Sequence, residues 1–173
     1  GRGRKALSNM PKPVDFIIGG WQMTGITTMV TGARLSPSYS NADPTFTNVF
    51  SGRPDRIGNG YLDSGEMRGL IKSGRPIFNL ADFTVPATGR GFYGNSARAI
   101  LTGPGTATWN VGIHRNWLVF AERAQVQFRW EMHNAFNRPN FGNPNLNIQS
   151  GSFGLVTGAG GGRAMLFGAR FDF

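Results

Sequence analysis

The sequence predicts an all-β fold of antiparallel strands, and three observations support that prediction. Apolar and polar residues alternate with a period of two over several stretches, which is typical of strands with one apolar face. Gly and Pro are abundant, with 26 and 10 of 173 residues, and they separate those stretches. No run reaches the roughly 18 apolar residues of a membrane-spanning helix. The chain is therefore expected to consist of strands joined by turn-rich segments.

Four strands are predicted, at about 21–31, 107–117, 123–133 and 164–173. The first alternates weakly, and Arg115 is an exception to the alternation of the second. The third has the clearest pattern: its apolar set is Val126, Phe128, Trp130 and Met132, and its polar set is Gln125, Gln127, Arg129, Glu131 and His133. In the fourth, Phe167 and Phe171 share the apolar face, while Leu166 interrupts the polar one.

The connections between these strands are very unequal in length. Residues 118–122 join the second and third strands, whereas 32–105 and 134–163 are long stretches rich in Gly, Pro and Asn. Compact soluble domains use connections of about 4–6 residues. Outer-membrane β-barrels have short periplasmic turns and long extracellular loops, and their strands are about 9–11 residues long. The pattern favours such a barrel, but alternation alone leaves a soluble β-sandwich open.

The charge balance raises a different hypothesis. Lys and Arg number 18 against 9 Asp and Glu, a net charge of +9, and a soluble basic β domain could bind nucleic acid. The cations are scattered, however, and the one local run is Arg2, Arg4, Lys5 and Lys12. This distribution favours a charge excess spread over turns, loops and a wet lumen, so no nucleic-acid partner is expected.

No residue pattern indicates catalysis, a cofactor or a metal. The chain has no cysteine, and its two histidines, His114 and His133, fall on polar strand faces. The Gly-rich segment 158–163 lacks the Lys-Ser/Thr ending of a phosphate-binding loop and is interpreted as a flexible loop. One loop carries oxygen ligands, but their spacing misses the calcium-binding pattern: Asp55, Asn59, Asp63 and Glu66. We expect a protein that is not an enzyme and has no cofactor.

The chain ends in a strand with a terminal phenylalanine. Apolar residues at alternating positions before a terminal Phe are typical of the signal that the outer-membrane barrel assembly machinery recognises. The candidate signal residues are Gly168, Phe171 and Phe173, and Leu166 departs from the usual polar position. Such a closing strand presents an unpaired edge that must pair with another strand of the barrel.

Five segments together resemble a known family over nearly the whole chain. They are Gly19–Ile26, Phe92–Arg98, Leu101–Gly105 leading into Trp109–Val111, Phe128–Gly142 and the strand ending in Phe173. In order and spacing they resemble the C-terminal part of TonB-dependent outer-membrane receptors. In particular, they resemble the acidobacterial, Oar-like group with carboxypeptidase-regulatory-like N-terminal domains. His133 and Arg138 depart from the family's usual residues.

The resemblance implies that the chain forms the C-terminal antiparallel strands of a transmembrane outer-membrane β-barrel. Residues 1–20 would be a periplasmic turn region, and 21–173 would hold the last barrel strands with extracellular loops at 32–105 and 134–163. Further strands, a plug and an energy-coupling segment would lie upstream. Four strands cannot close a barrel whose minimum is about eight strands.

Roles and partners follow from the same resemblance. The lumen-lining candidates are Gln125, Gln127, Arg129, Glu131 and His133, and the lipid-facing candidates are Val126, Phe128, Trp130, Met132, Phe167 and Phe171. Implied partners are outer-membrane lipid, the upstream barrel and plug, the inner-membrane energy-coupling complex reached through N-terminal parts, and the barrel assembly machinery. A small-molecule, sugar or peptide substrate is also implied. The alternative is a stand-alone fragment that acts as a structural or assembly subunit by strand-edge pairing.

Overall fold

The computed structural model describes residues 11–40, 51–62, 66–87, 93–119 and 124–173. Along them the elements are α1 (Lys12–Ile18), β1 (Gln22–Val30), β2 (Arg34–Leu35), β3 (Tyr39–Ser40), β4 (Ser51–Gly52), β5 (Asp55–Arg56), α2 (Met67–Lys72), a 3-10 turn (Leu80–Asp82), β6 (Phe83–Thr84), β7 (Leu101–Thr102), β8 (Thr106–Val119), β9 (Ala124–His133), β10 (Asn140–Phe141), β11 (Ala159–Gly160) and β12 (Ala164–Asp172).

The chain divides into two compact units. The first, here called the sheet unit, comprises Gly1–Met29, Ala107–Pro139 and Gly161–Phe173. The second, the loop unit, comprises Val30–Thr106 and Asn140–Gly160.

The sheet unit contains a four-stranded sheet in the order β1-β8-β9-β12. Sequence periodicity predicts these strands at 21–31, 107–117, 123–133 and 164–173; β8 is longer than predicted at both ends, and residue 123 lies outside the described residues. β9 pairs antiparallel with both neighbours, so that Trp130 is opposite Ile113 on one side and Phe167 on the other. This register brings the apolar residues of three strands onto one face.

A short helix begins the described chain, in the segment predicted as a turn region. Within the described part of 1–20, α1 spans Lys12–Ile18 and its first turn includes Pro13. Proline is compatible with the first turn because its missing N–H has no partner there anyway. Gly20, at φ +74°, provides the left-handed residue that links α1 to β1. No helix among the described residues is long and apolar enough to cross a membrane.

The loop unit has a hydrophobic core of its own. Its fully or nearly buried members are Leu35, Tyr39, Leu70, Ile71, Ile77, Phe78, Phe83, Leu101, Ile148 and Phe153. Two-residue strand pairs tie the segments together: β2 with β7, β3 with β4, β5 with β6, and β10 with β11. Each strand in these pairs is too short to produce a periodic signal, and so the sequence predicted only long connections here.

One prediction for this region is wrong. The segment 158–163 is expected from its glycines to be a flexible loop, but Ala159 and Gly160 form β11 and pair with Phe141 and Asn140. Glycine is compatible with a strand, and here the pairing comes from a partner about twenty residues away that local composition does not reveal.

Candidate functional site

The predicted lumen-lining residues share one face of the sheet, here called the polar face. They alternate along β9 with Phe128 and Trp130, and His114 on β8 lies opposite Arg129. Hydrogen bonds cross between strands on this face. Gln127 Nε2 donates to Asn116 Oδ1 at 3.0 Å, and His114 Nε2 lies 2.8 Å from Gln22 Oε1. The polar face is therefore linked side chain to side chain from β1 to β9.

Residues that sequence periodicity did not identify also belong to the polar face. Thr24 Oγ1 donates to the Gly112 carbonyl at 3.4 Å, which places Thr24 beside the polar residues of β8. The weak alternation of β1 hid this assignment. On β12, Arg170 and Asp172 lie on the polar face, as their alternation with Phe171 predicts. Arg170 Nε donates to Asp172 Oδ1 at 2.8 Å, and both side chains are largely exposed. Such an exposed ion pair contributes little to stability.

A concave site lies between β1, β8 and β9. Its cavity volume is about 230 Å³, and its lining includes Thr24, Ile26, Asn110, Glu131 and His133. It brings two of the predicted lumen residues, Glu131 and His133, together with three residues that the sequence did not suggest. A concavity with an apolar floor and several polar groups can hold part of a small ligand.

The predicted lipid-facing residues share the opposite face, here called the apolar face. Trp130 stacks on Phe167 with ring centroids 5.5 Å apart, and Phe128 lies 6.5 Å from the same ring. Phe171 is opposite Val126, so both belong to this face. Cross-strand aromatic pairs of this kind stabilise the register that defines the two faces.

Aromatic clusters mark both ends of the apolar face. At one end Trp109 contacts Phe136 edge to face at 5.5 Å; at the other, Trp117 contacts Trp21 at 5.8 Å and Phe16 at 6.4 Å. Trp117 follows Trp109 by eight residues on β8. At ~3.3 Å per residue and a tilt of ~40°, this spacing corresponds to a height of ~20 Å, close to the ~25 Å apolar band between aromatic girdles of outer-membrane barrels.

Arg115, the exception to the alternation of β8, lies on the apolar face because it is opposite Phe128. Its buried guanidinium donates to the carbonyls of Ile17 at 2.8 Å and Asp15 at 3.1 Å. It also lies 4.8 Å from the centre of the Trp117 ring, a cation–π distance. Sequence reasoning could not explain this residue, because its partners belong to a helix that was not predicted.

The two tryptophans beside Arg115 bind the same helix. Trp117 Nε1 donates to the Phe16 carbonyl at 3.0 Å, and Trp21 Nε1 donates to the Ile17 carbonyl at 3.0 Å. The last carbonyls of an α-helix have no partner within it. Arg115 and Trp117 on the apolar face, and Trp21 just before β1, thus donate hydrogen bonds to carbonyls at the C-terminal end of α1.

The segment after β9 forms a turn fixed by two asparagines in the left-handed region, Asn134 at φ 49° and Asn137 at φ 50°. The buried Asn134 amide donates to the carbonyls of Arg138 and Gly161, and its Oδ1 accepts from the Arg138 N–H at 3.1 Å. Asn137 Oδ1 accepts from the Arg163 N–H at 3.2 Å. These bonds join the end of β9 to the start of β12.

Two of the loop residues considered as calcium ligands, Asp55 and Asn59, instead accept backbone hydrogen bonds in the loop unit. Asp55 Oδ1 accepts from the Asn95 N–H at 2.7 Å, and Asn59 Oδ1 accepts from the Tyr61 N–H at 2.7 Å. Asp63 lies outside the described residues, and Glu66 precedes α2. In the described part of the chain no three His, Cys, Asp or Glu side chains come together as a metal site.

The candidate assembly signal lies at the end of β12. Gly168 is opposite Arg129, Phe171 is opposite Val126, and Phe173 follows the strand with its side chain exposed. All residues of β12 are exposed, since one side of this strand is an open edge. Recognition by an assembly machinery stays a prediction.

Comparison with known proteins identifies the family. The family model for the outer membrane beta barrel domain matches residues 1–165, and the chain belongs to this family. The finding confirms the all-β, antiparallel fold and places the protein in the bacterial outer membrane. It supports the recognised resemblance at the level of an outer-membrane β-barrel. No curated protein and no solved structure matches the chain.

The turn after β9 can be tested with Asn134→Gly and Asn134→Ala. Both remove the side-chain hydrogen bonds, at a cost of about 1–3 kcal/mol for the groups left unpaired. Alanine also opposes the left-handed backbone, which adds about 1 kcal/mol. Urea unfolding in lipid vesicles should rank the free energies of unfolding as wild type, then Gly, then Ala. Equal values for Gly and Ala would contradict the role of the positive φ.

The docking of α1 can be tested with Arg115→Lys. Lysine cannot reproduce the fork that reaches two carbonyls while stacking on Trp117, and a hydrogen bond to a charged group contributes about 1.5–3 kcal/mol. Hydrogen exchange of the α1 amides should accelerate by tenfold or more, as measured by mass spectrometry. Arg170→Lys, at an exposed ion pair on the other face, is the matched control and should change it less than twofold. Equal effects of both variants would rule out the anchoring role.

Proposed function

We propose that the chain is the C-terminal part of a TonB-dependent outer-membrane transporter. It would contribute barrel wall, extracellular loops that meet the ligand, and the assembly signal. The observation that carries the proposal is a sheet with a hydrogen-bonded polar face, an apolar face and two open edges, β1 and β12.

The open edges require more strands. In bilayer hydrocarbon each unpaired backbone N–H or C=O costs several kcal/mol, so a spanning sheet must close on itself. β1 and β12 each expose one edge over nine residues. These two strands would pair with upstream strands of the same barrel.

The polar face supports a wide, wet lumen. The interior of the smallest barrels is filled by side chains, whereas larger barrels hold water or a plug. Gln127, Asn116 and His114 hydrogen-bond across strands, while Arg129 and Glu131 on the same face stay exposed. Such a surface suits a barrel in which a mobile plug or a solute passes along the wall.

Transport would follow the scheme of the TonB-dependent receptors. Substrate would bind to outer loops and plug, and the inner-membrane energy-coupling complex would displace the plug. Glu131 and His133, in the cavity with Thr24 and Asn110, would then contact a small molecule, sugar or peptide on its way through the lumen. On this proposal the chain is not an enzyme, needs no cofactor and binds no nucleic acid.

The same open edges favour a second candidate, a structural or assembly subunit that pairs its edge strands with other chains. The intact mass of the native protein, extracted from outer membranes and measured by mass spectrometry, separates the two. A transporter should have a mass far above the 18.8 kDa of this chain. A native mass of 18.8 kDa would instead support the separate subunit.

The assignment of the faces can be tested by cysteine labelling, since the chain has no cysteine of its own. In outer-membrane vesicles carrying the full-length protein, Gln127→Cys should react with a water-soluble maleimide and the adjacent Phe128→Cys should not. The expected difference is tenfold or more in rate, because only the lumen face meets water. Faster labelling of Phe128→Cys than of Gln127→Cys would mean that the lumen and lipid faces are interchanged.

A further inference from the structure

Helix α1 exposes apolar side chains that nothing described in the sheet unit covers. Val14, Ile17 and Ile18 follow the i, i+3, i+4 spacing of one helix face, and Ile17 is 69% exposed. Phe16 is exposed as well, although its ring reaches Trp117. A seven-residue helix is too short to be stable by itself in water. Its persistence depends on the side chains that bind its carbonyls.

Those side chains place α1 on the apolar face of the wall. Arg115 and Trp117 belong to this face, and both donate to carbonyls of α1. The helix is therefore attached to the surface that meets lipid in an outer-membrane barrel. Its exposed apolar residues lie on a helix that contacts Trp21 and Trp117.

The depth of α1 follows from the strand connections. Trp117 lies near the end of β8, and only four residues separate the end of β8 at Val119 from the start of β9 at Ala124. Short connections of outer-membrane barrels lie on the periplasmic side. Trp21 and Trp117 then correspond to the periplasmic aromatic girdle, and α1 lies at the level of the headgroups.

The charge of the segment 1–20, counted in the sequence, suits a phospholipid surface. Among residues 1–20 the sequence has four cations, Arg2, Arg4, Lys5 and Lys12, and one acid, Asp15. A sequence segment that combines excess cations with an apolar helix face favours anionic phospholipid, because cations attract lipid phosphate and apolar side chains enter the acyl boundary. A phospholipid surface accommodates both features.

We propose that α1 is an in-plane anchor that binds the periplasmic phospholipid leaflet of the outer membrane, outside the barrel wall. Ile17, Ile18 and Val14 would insert at the boundary between headgroups and acyl chains. Arg115, Trp117 and Trp21 would be positioning residues that hold the helix at this depth. The inference rests on the outer-membrane location of the wall and does not depend on transport.

Single cysteines at three positions test the anchor in the full-length protein. Ile17→Cys reports on α1, Phe167→Cys on the middle of the wall, and Ile57→Cys is the control. Ile57 belongs to the loop unit and is 72% exposed, a close match to Ile17. Each variant carries an environment-sensitive fluorophore and is placed in vesicles of phosphatidylethanolamine and phosphatidylglycerol that contain quencher-labelled phospholipid.

The expected order of quenching is specific. A quencher near the headgroups should act most on position 17, a quencher deep in the acyl chains most on position 167, and neither on position 57. Equal quenching at positions 17 and 57, with position 167 quenched, would overturn the anchor and leave the wall assignment intact. Protection of position 17 from aqueous iodide without lipid quenching would indicate a protein contact and also overturn it. An unquenched position 167 would overturn both assignments.

A second variant separates the anchor from folding. Ile17→Asp combined with Ile18→Asp should reduce headgroup-level quenching of a label at Val14→Cys to the level of position 57. Heat-modifiable migration on a gel should stay unchanged, because these side chains point away from the sheet contacts. Ile57→Asp in the same labelled background should leave the quenching within twofold of the parent. Unchanged quenching in the double variant would contradict the proposal.

Discussion

The structure depends on one constraint, the antiparallel backbone pairing of β8, β9 and β12. Because the side-chain period of a strand is two, a slip by one residue would exchange the polar and apolar faces of a whole strand. Ile113, Trp130 and Phe167 align across the three strands, and the Trp130–Phe167 stack holds this alignment. The continuous polar face, the aromatic ends and the position of Arg115 all follow from this register.

The same constraint explains why a helix binds to the apolar face. N–H donors on the apolar face gain acceptors where the end of a helix leaves its carbonyls unpaired. Arg115, Trp21 and Trp117 carry such donors, and the end of α1 has carbonyls without helical partners, so each group satisfies the other. In contrast, Trp130 Nε1 is buried and has no hydrogen-bond partner among the described residues. Its indole is held by the stack on Phe167 instead.

The sequence predicted the strands that consecutive residues encode, and it did not reveal contacts between residues far apart in the chain. The alternation in β9 and β12 is carried by consecutive residues, and it indicated the strands and an all-β outer-membrane fold that the family match confirms. The sequence did not reveal which residues of β1 belong to the polar face, because only the contacts of β1 with β8 show this. Arg115 is an exception to the alternation because its hydrogen-bond acceptors lie on α1, about one hundred residues earlier in the chain. The core of the loop unit joins Leu35 to Leu101, and no local pattern encodes such a pairing.

Apolar residues of the two units are distributed in opposite ways. In the loop unit Phe78 is 1% exposed, as expected for a core folded in water. In the sheet unit Phe167 is 66% exposed, and it belongs to a face of Val, Phe, Trp and Met residues. Contiguous exposed apolar surface of this kind marks a face that meets a membrane or another protein surface. The outward-facing apolar side chains of the sheet unit are the arrangement expected of strands in the outer membrane beta barrel family to which the chain belongs. Its modest 39% hydrophobic content reflects strands that use apolar residues on one face only.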